Sequence, residues 1–327
     1  MQSVFDKCQV HRRVFLALII GIAAGFLCTW LMYKISYGAA DFYPAIRIAR
    51  DLWNGRNPYN YPVAPDLVSY PLPAGLFAAP FAILPNELAA GVFIGLSSAL
   101  LAWCSLSRDR VWPLGVFLSW PFAYAISNAQ WTPLIMCIWF IPSLMPLLLI
   151  KPQIVLPVIA TSRINRTGIW LTVLILAISL AIYPSWPLAW LSQIRTYTGT
   201  PPLFSLPLGP VILLALFKYK DRRAWLLLLM GIMPQRVIYD QLPLLLISTN
   251  GIEMLIQVVC SWLSLPVLIS SGGWNFMPIN WQFWIVLTMY IPALIILFLP
   301  SVPKAFSSIK GIVSKIKTLL VKREIQV

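Results

Sequence analysis

Asp41 follows the chain's first long apolar run, and few other charges stand in comparably apolar surroundings. Lys151 and Asp240 are flanked by apolar residues beside proline breaks, and Arg236 sits at the second of those breaks. Asn128 and Gln130 stand where a later apolar run returns to the same side. An ionisable side chain at membrane depth is costly and marks function by default. These residue types have a shared chemistry. Arg and Lys hold a phosphate, and a carboxylate takes the proton of an attacking hydroxyl. Together they suit transfer of a group from a lipid phosphate to an alcohol. Plainer roles compete: Asp41 as the N-cap of the next helix, Lys151 snorkelling from a span end, and Arg236 with Asp240 as an i,i+4 ion pair.

Other chemistries are disfavoured. His11, in the N-terminal tail, is the single histidine, which leaves no His base or His-ligated metal. Cys8, Cys28, Cys104, Cys137 and Cys260 are scattered without CxxC spacing and read as small core residues. No cofactor is expected. The absence of a DxD pair leans towards metal independence, although Asp51 and Asp66 share a loop with Asp41 and leave a metal open.

The elements that must position these residues are membrane helices. The 327-residue chain is 59% hydrophobic and only 10% charged, with a mean hydropathy of +0.80. Repeated apolar runs of spanning length predict an all-α polytopic bundle of roughly ten crossings. The first runs from Val14 to Ser36, too long for a signal peptide's apolar region, and reads as a signal anchor with its basic N-terminus in the cytosol. Further spans are expected at 86–106, 111–127, 169–183, 203–217, 252–270 and 281–299. Between 131 and 160 the chain is broken by Pro133, Pro142, Pro146, Pro152 and Pro157 and crosses once or three times; three crossings bring Lys151 to the outer side. The run 224–248 is expected to break at Pro234-Gln235-Arg236, which exposes Asp240 outside and returns the C-terminus to the cytosol. Residues 1–300 then form one transmembrane domain with a first outer loop at 38–85. Residues 301–327 form a basic amphipathic cytosolic tail. The net charge of +14 clusters at span ends, which favours contact with membrane lipids and no nucleic acid.

Within the outer loop, Phe42, Ala45, Ile46, Ala49, Leu52 and Trp53 form one helical stripe, with Arg47, Arg50, Asp51 and Asn54 opposite. This predicts a helix lying in the outer membrane interface, with Asp41 at the mouth of the first span.

At these residues the chain resembles the GT-C membrane glycosyltransferases, most closely glycosyltransferase family 87. The likeness is carried by Asp41-Phe42-Tyr43, Leu52-Trp53-Asn54-Gly55, Pro58-Tyr59, Tyr70-Pro71-Leu72-Pro73 and Leu84-Pro85. Gln130 is similar to the family's Gly-Gln-x-Asn element, Lys151-Pro152 to its Lys-Pro, and Pro234 with Asp240 to its Ser-Pro-x-x-Trp-x-His-His region. The sequence departs at Ala129 for Gly, at Thr132 for Asn, and at Gln241-Leu242, where the His-His pair is absent. The resemblance implies a polyprenyl-phosphate sugar donor, mannose first, and an inverting transfer to a lipid or glycan acceptor. Asp41 would be the base, Lys151 and Arg236 candidates for the donor phosphate, and Asp240, Gln130, Asn128, Tyr59 and Tyr70 substrate-binding. It also implies a cell-envelope enzyme in the plasma (inner) membrane with its site on the outer face. Two other readings stand beside it: a non-catalytic scaffold or accessory subunit with a protein partner in a membrane complex, and a lipid or ion transporter using Lys151 and Asp240.

Overall fold

The computed structural model describes residues 2–36, 38–60, 70–106, 110–194, 199–235, 237–266 and 281–299. The named elements among them are helical. The basic tail from 301, Arg236 and Asp66 lie outside the described residues.

Two helices set the frame. α1 (Gln2–Ile35) and α4 (Asn86–Ser105) are each long and apolar enough to cross a membrane. At 1.5 Å rise per residue, the 20 residues of α4 extend about 30 Å, the thickness of a hydrocarbon core. They run antiparallel, since Arg13 near the start of α1 donates to Trp103 O near the end of α4 at 2.6 Å and lies over the Trp103 ring. Gly21 and Gly25 face Gly91 and Gly95, and the backbones come close. A Cβ on Gly25 would stand 2.8 Å from Gly91 O, and one on Gly91 2.7 Å from Gly25 O. Membrane helices, which gain little from burying Leu against lipid-like Leu, associate through such small-residue seams. The remaining face of α1 is open, with Ile22 and Phe26 among its exposed side chains.

The rest of the chain is cut into shorter pieces. α5 (Trp120–Ser127) follows the 3-10 helix Trp112–Leu118 after a break at Ser119. α6 (Thr132–Met136), the 3-10 helices Cys137–Trp139 and Pro142–Leu149, and α7 (Pro152–Thr161) occupy the proline-broken stretch. α8 (Arg166–Ile182) turns by 92° into α9 (Trp186–Gln193). Together these two supply at most one more crossing. Among the described residues, two helices have spanning length, three with this bent pair, and the other apolar helices run 10–17 residues. The roughly ten long spans expected from hydropathy are therefore not resolved as ten long helices. Proline removes an amide donor and disfavours helix in the residue before it, so runs that look continuous in hydropathy divide into short α and 3-10 segments. The break expected near Pro234 is present, between α10 (Arg222–Ile232) and the 3-10 helix Ile238–Ile247. Gln235 exchanges two backbone hydrogen bonds with Thr200 there, both 3.1 Å. α11 (Gly251–Trp262) follows, and the last helical stretch carries a π-turn at Val286–Tyr290.

α2 (Tyr43–Trp53) corrects one expectation. Four members of its apolar stripe, Phe42, Ala45, Ile46 and Ala49, are buried against protein, while Trp53 at its end is exposed. α3 (Leu72–Ala78) lies so close that a Cβ on Gly75 would stand 2.8 Å from Ile48 Cβ. Arg50 fixes the helix by donating to Ala82 O, Leu84 O and Asn86 Oδ1 at 2.8–2.9 Å. Asp41 is not the N-cap of this helix. It lies inside the preceding 3-10 turn Ala40–Phe42, and no side-chain cap bond forms at either start.

Candidate functional site

Asp41 and Gln130 are held face to face by the backbone around them. Asp41 N donates to Asn128 O at 3.2 Å. Ala40 and Ala129, the residues just before the two, both adopt the left-handed conformation with φ of 47°. Phe42 and Trp131, the residues just after, pack with centroids 5.3 Å apart and share an aromatic cluster with Phe93. Left-handed backbone is rare for alanine and persists only where its surroundings impose it.

The side chains then form a chain of polar contacts. The Gln130 amide nitrogen donates to Asp41 Oδ2, and the Tyr239 hydroxyl donates to the same oxygen at 2.7 Å. Gln130 Oε1 accepts from Lys151 Nζ at 2.5 Å. Lys151 Nζ lies 4.0 Å from Asp240 Oδ1, 5.3 Å from the centre of the Tyr239 ring and 5.8 Å from that of Tyr70. A carboxylate only accepts and an ammonium only donates, so the orientation of the bridging amide is dictated by its two neighbours. Gln130, Lys151 and Asp240 are 0%, 7% and 3% exposed, and Asp41 is half-buried.

Chain breaks aim these residues. Gln130 occupies the gap between α5 and α6. Lys151 immediately precedes Pro152, which keeps it out of helical geometry (φ −133°, ψ 73°) and turns its side chain towards Gln130. Tyr239 and Asp240 form the first turn of a 3-10 helix. That turn is steadied by the Tyr290 hydroxyl from the π-turn, which donates to Gln241 Oε1 at 2.7 Å.

Of the residues singled out in the sequence, Asp41, Gln130, Lys151, Asp240 and Tyr70 come together. Asn128 contributes its carbonyl; its side chain instead donates to Tyr124 O and Ser127 Oγ at the end of α5. Tyr59 stands one step back, donating to Tyr70 O at 3.1 Å. Burial, reinforced by Tyr183 and opposed by Arg47, pushes its phenol up, so it remains a donor. Arg236 lies outside the described residues.

Tyr239 was not legible as a site residue, because a tyrosine in an apolar run reads as core. Its position between a chain break and Asp240 was the available signal. The described network carries two carboxylates, Asp41 and Asp240, against one ammonium, Lys151. A phosphate bound there needs at least one further cation. Among the described residues no three His, Cys, Asp or Glu side chains gather as a metal site.

Compared with protein-family models, curated proteins and solved structures, the chain matches none.

Proposed function

We propose that the chain is a polyprenyl-phosphate-dependent glycosyltransferase of the GT-C type, with Asp41 as the catalytic base. The observation that carries this reading is Asp41 itself, a half-buried carboxylate just past a membrane-length helix, gripped at one oxygen by Gln130 and Tyr239. A carboxylate has about four lone-pair positions, so two donors at Oδ2 leave acceptor capacity for a substrate hydroxyl. In the proposed step the acceptor O–H gives its proton to Asp41 while its oxygen attacks the anomeric carbon. The bond from that carbon to the phosphate oxygen breaks, and the phosphate leaves with the electron pair. Lys151 neutralises the leaving charge, helped by Arg236. Asp240 holds Lys151 in place when no donor is bound. The finer architecture belongs to the same proposal: roughly ten crossings built from broken segments, in a plasma membrane with the site on its outer face, a mannosyl donor and a lipid or glycan acceptor.

The test is turnover of labelled polyprenyl-phosphate mannose by purified protein, wild type beside Asp41→Asn, with the product identified by mass. Transfer by the wild type and none by a folded Asp41→Asn supports the reading. Equal turnover by the two removes Asp41 as the base.

One observation favours a second reading. The network closes on itself, with Gln130 fully buried between Asp41 and Lys151. Structural ion networks also look like this, and a membrane scaffold or accessory subunit needs no more. Folded wild-type protein that transfers no lipid-linked sugar and copurifies stoichiometrically with a partner would select it.

A further inference from the structure

A cavity lies away from the Asp41 network, lined by a different set of residues. Its volume is about 710 Å³, within the range of small-molecule sites. It sits at the far end of the 3-10 helix Ile238–Ile247, against Leu245 and Leu246, whereas Tyr239 and Asp240 occupy the first turn. It also meets the last turn of α4, whose first residue, Asn86, is fixed to α2 by Arg50.

The lining separates by chemistry. Leu101, Val116, Met136, Leu245 and Met254 make the interior apolar. Trp112 and Trp139 are aromatic walls, and Arg110, Arg222 and Arg223 supply the positive charge. Arg223 is committed. It makes a bidentate contact with Asp221, the closest bond being 2.7 Å, and donates to Ile247 O at 3.1 Å. Arg222 is held differently, with its guanidinium 4.2 Å from the centre of the Trp139 ring. Among the described residues, neither Arg222 nor Arg110 has a carboxylate within ion-pair distance, and both are exposed. The neutral polar groups of the lining are occupied: Ser248 donates to Gln257 and Thr249 to Glu253. Recognition therefore falls to Arg110 and Arg222, in a largely apolar, tryptophan-walled chamber whose one carboxylate among the described lining, Asp221, is held by Arg223.

We propose that this cavity binds an anionic phospholipid, its phosphate on Arg110 and Arg222 and the first segment of its chains along the apolar lining. The mixed lining favours a lipid over a free anion, because a small hydrophilic ion would leave Leu101, Val116, Met136, Leu245 and the two tryptophans without a partner. The positive-inside pattern of Arg110 and of the 218–223 segment assigns this end to the cytosolic leaflet, where anionic headgroups are available. The inference does not depend on the transferase reading.

The experiment uses delipidated full-length protein in neutral detergent, with bound lipid counted by native mass spectrometry. Phosphatidylglycerol is titrated beside phosphatidylcholine and inorganic phosphate. Phosphatidylglycerol should be retained over phosphatidylcholine. Arg110→Gln/Arg222→Gln should weaken that retention on the order of tenfold or more, since each basic residue near an anionic headgroup contributes about fivefold. Asp41→Asn should bind like the wild type, which separates this site from the other. If the double variant does not fold, Arg222→Gln alone carries the same comparison at about fivefold. Equal retention of the two lipids, or undiminished phosphatidylglycerol binding by a folded variant, overturns the proposal. Competition by inorganic phosphate as strong as by the lipid also overturns it, in favour of a free-anion site.

Discussion

Phe42 and Trp131 meet at an angle of 63°, each immediately following one member of the hydrogen-bonded pair Asp41 and Gln130. With the bond from Asp41 N to Asn128 O and the two left-handed alanines, this makes a seven-residue clasp from segments nearly ninety positions apart. Aromatic pairs in this geometry contribute about 0.5–1.5 kcal/mol beyond their burial. The pair's position is thus fixed by backbone and packing as well as by the hydrogen bonds of its own side chains.

The clasp predicts a stabilising substitution. Left-handed backbone costs an L-residue roughly 1–2 kcal/mol, while glycine's extra freedom in the unfolded chain costs about 0.4–1 kcal/mol. Ala129→Gly should therefore raise stability by up to about 1.6 kcal/mol, read as a higher unfolding midpoint in detergent. Ala129→Val should lower the midpoint. A lower midpoint for the glycine variant would show that the 47° φ is not strained there.

Tyr239 gives the second prediction. Its hydroxyl donates to the Asp41 carboxylate at 2.7 Å, and hydrogen bonds to charged groups contribute about 1.5–3 kcal/mol. Tyr239→Phe keeps the ring beside Lys151 and removes only the donor. Turnover should fall roughly tenfold to a hundredfold. Unchanged turnover in an active preparation would make Tyr239 a packing residue.

Much of this site was legible because charge is scarce. Asp41, Lys151 and Asp240 stand out in apolar runs, and Gln130 occupies a predicted gap between helices. The features that failed to show depend on geometry without a sequence mark. Alanine at 40 and 129 gives no sign of a positive φ. Asp41 followed by Pro44 looks like a helix cap, but a 3-10 turn intervenes and turns the carboxylate inward. Asn128, polar at the end of a run, is used by its own helix. The prolines announced that the middle of the chain is broken, though not that 3-10 helices would fill it. Hydropathy counts apolar length, and it overstates long helices wherever proline divides a run.

The seam between α1 and α4 gives the third prediction. On Gly91 a methyl group would collide with Thr29 Oγ1 and stand 2.7 Å from Gly25 O, which is backbone and cannot rotate away. Gly91→Ala should push the helices apart at a cost of about 1–3 kcal/mol. Gly55→Ala is the contrasting control: space is open there, and its φ of 64° is the sole obstacle. Comparable unfolding midpoints for Gly91→Ala and the wild type would mean the seam is looser than described.

Lys151 and Asp240 separate a structural network from a functional one. They face each other at 4.0 Å, almost fully buried. Removing one member of a buried ion pair typically costs about 3–5 kcal/mol, whereas replacing both with apolar residues is often neutral. Lys151→Met should therefore destabilise strongly, Asp240→Leu likewise, and Lys151→Met/Asp240→Leu should recover part of the loss, short of the wild type by about 1–3 kcal/mol because the buried Gln130 Oε1 loses its donor. A purely structural network predicts that function follows stability and returns in the double variant. The transferase reading predicts that it does not return, because the double variant has no cation for the leaving phosphate. Unfolding midpoints and turnover measured on the same four proteins decide the matter: recovered stability with recovered turnover assigns the pair to the fold, and recovered stability without turnover assigns Lys151 to the reaction.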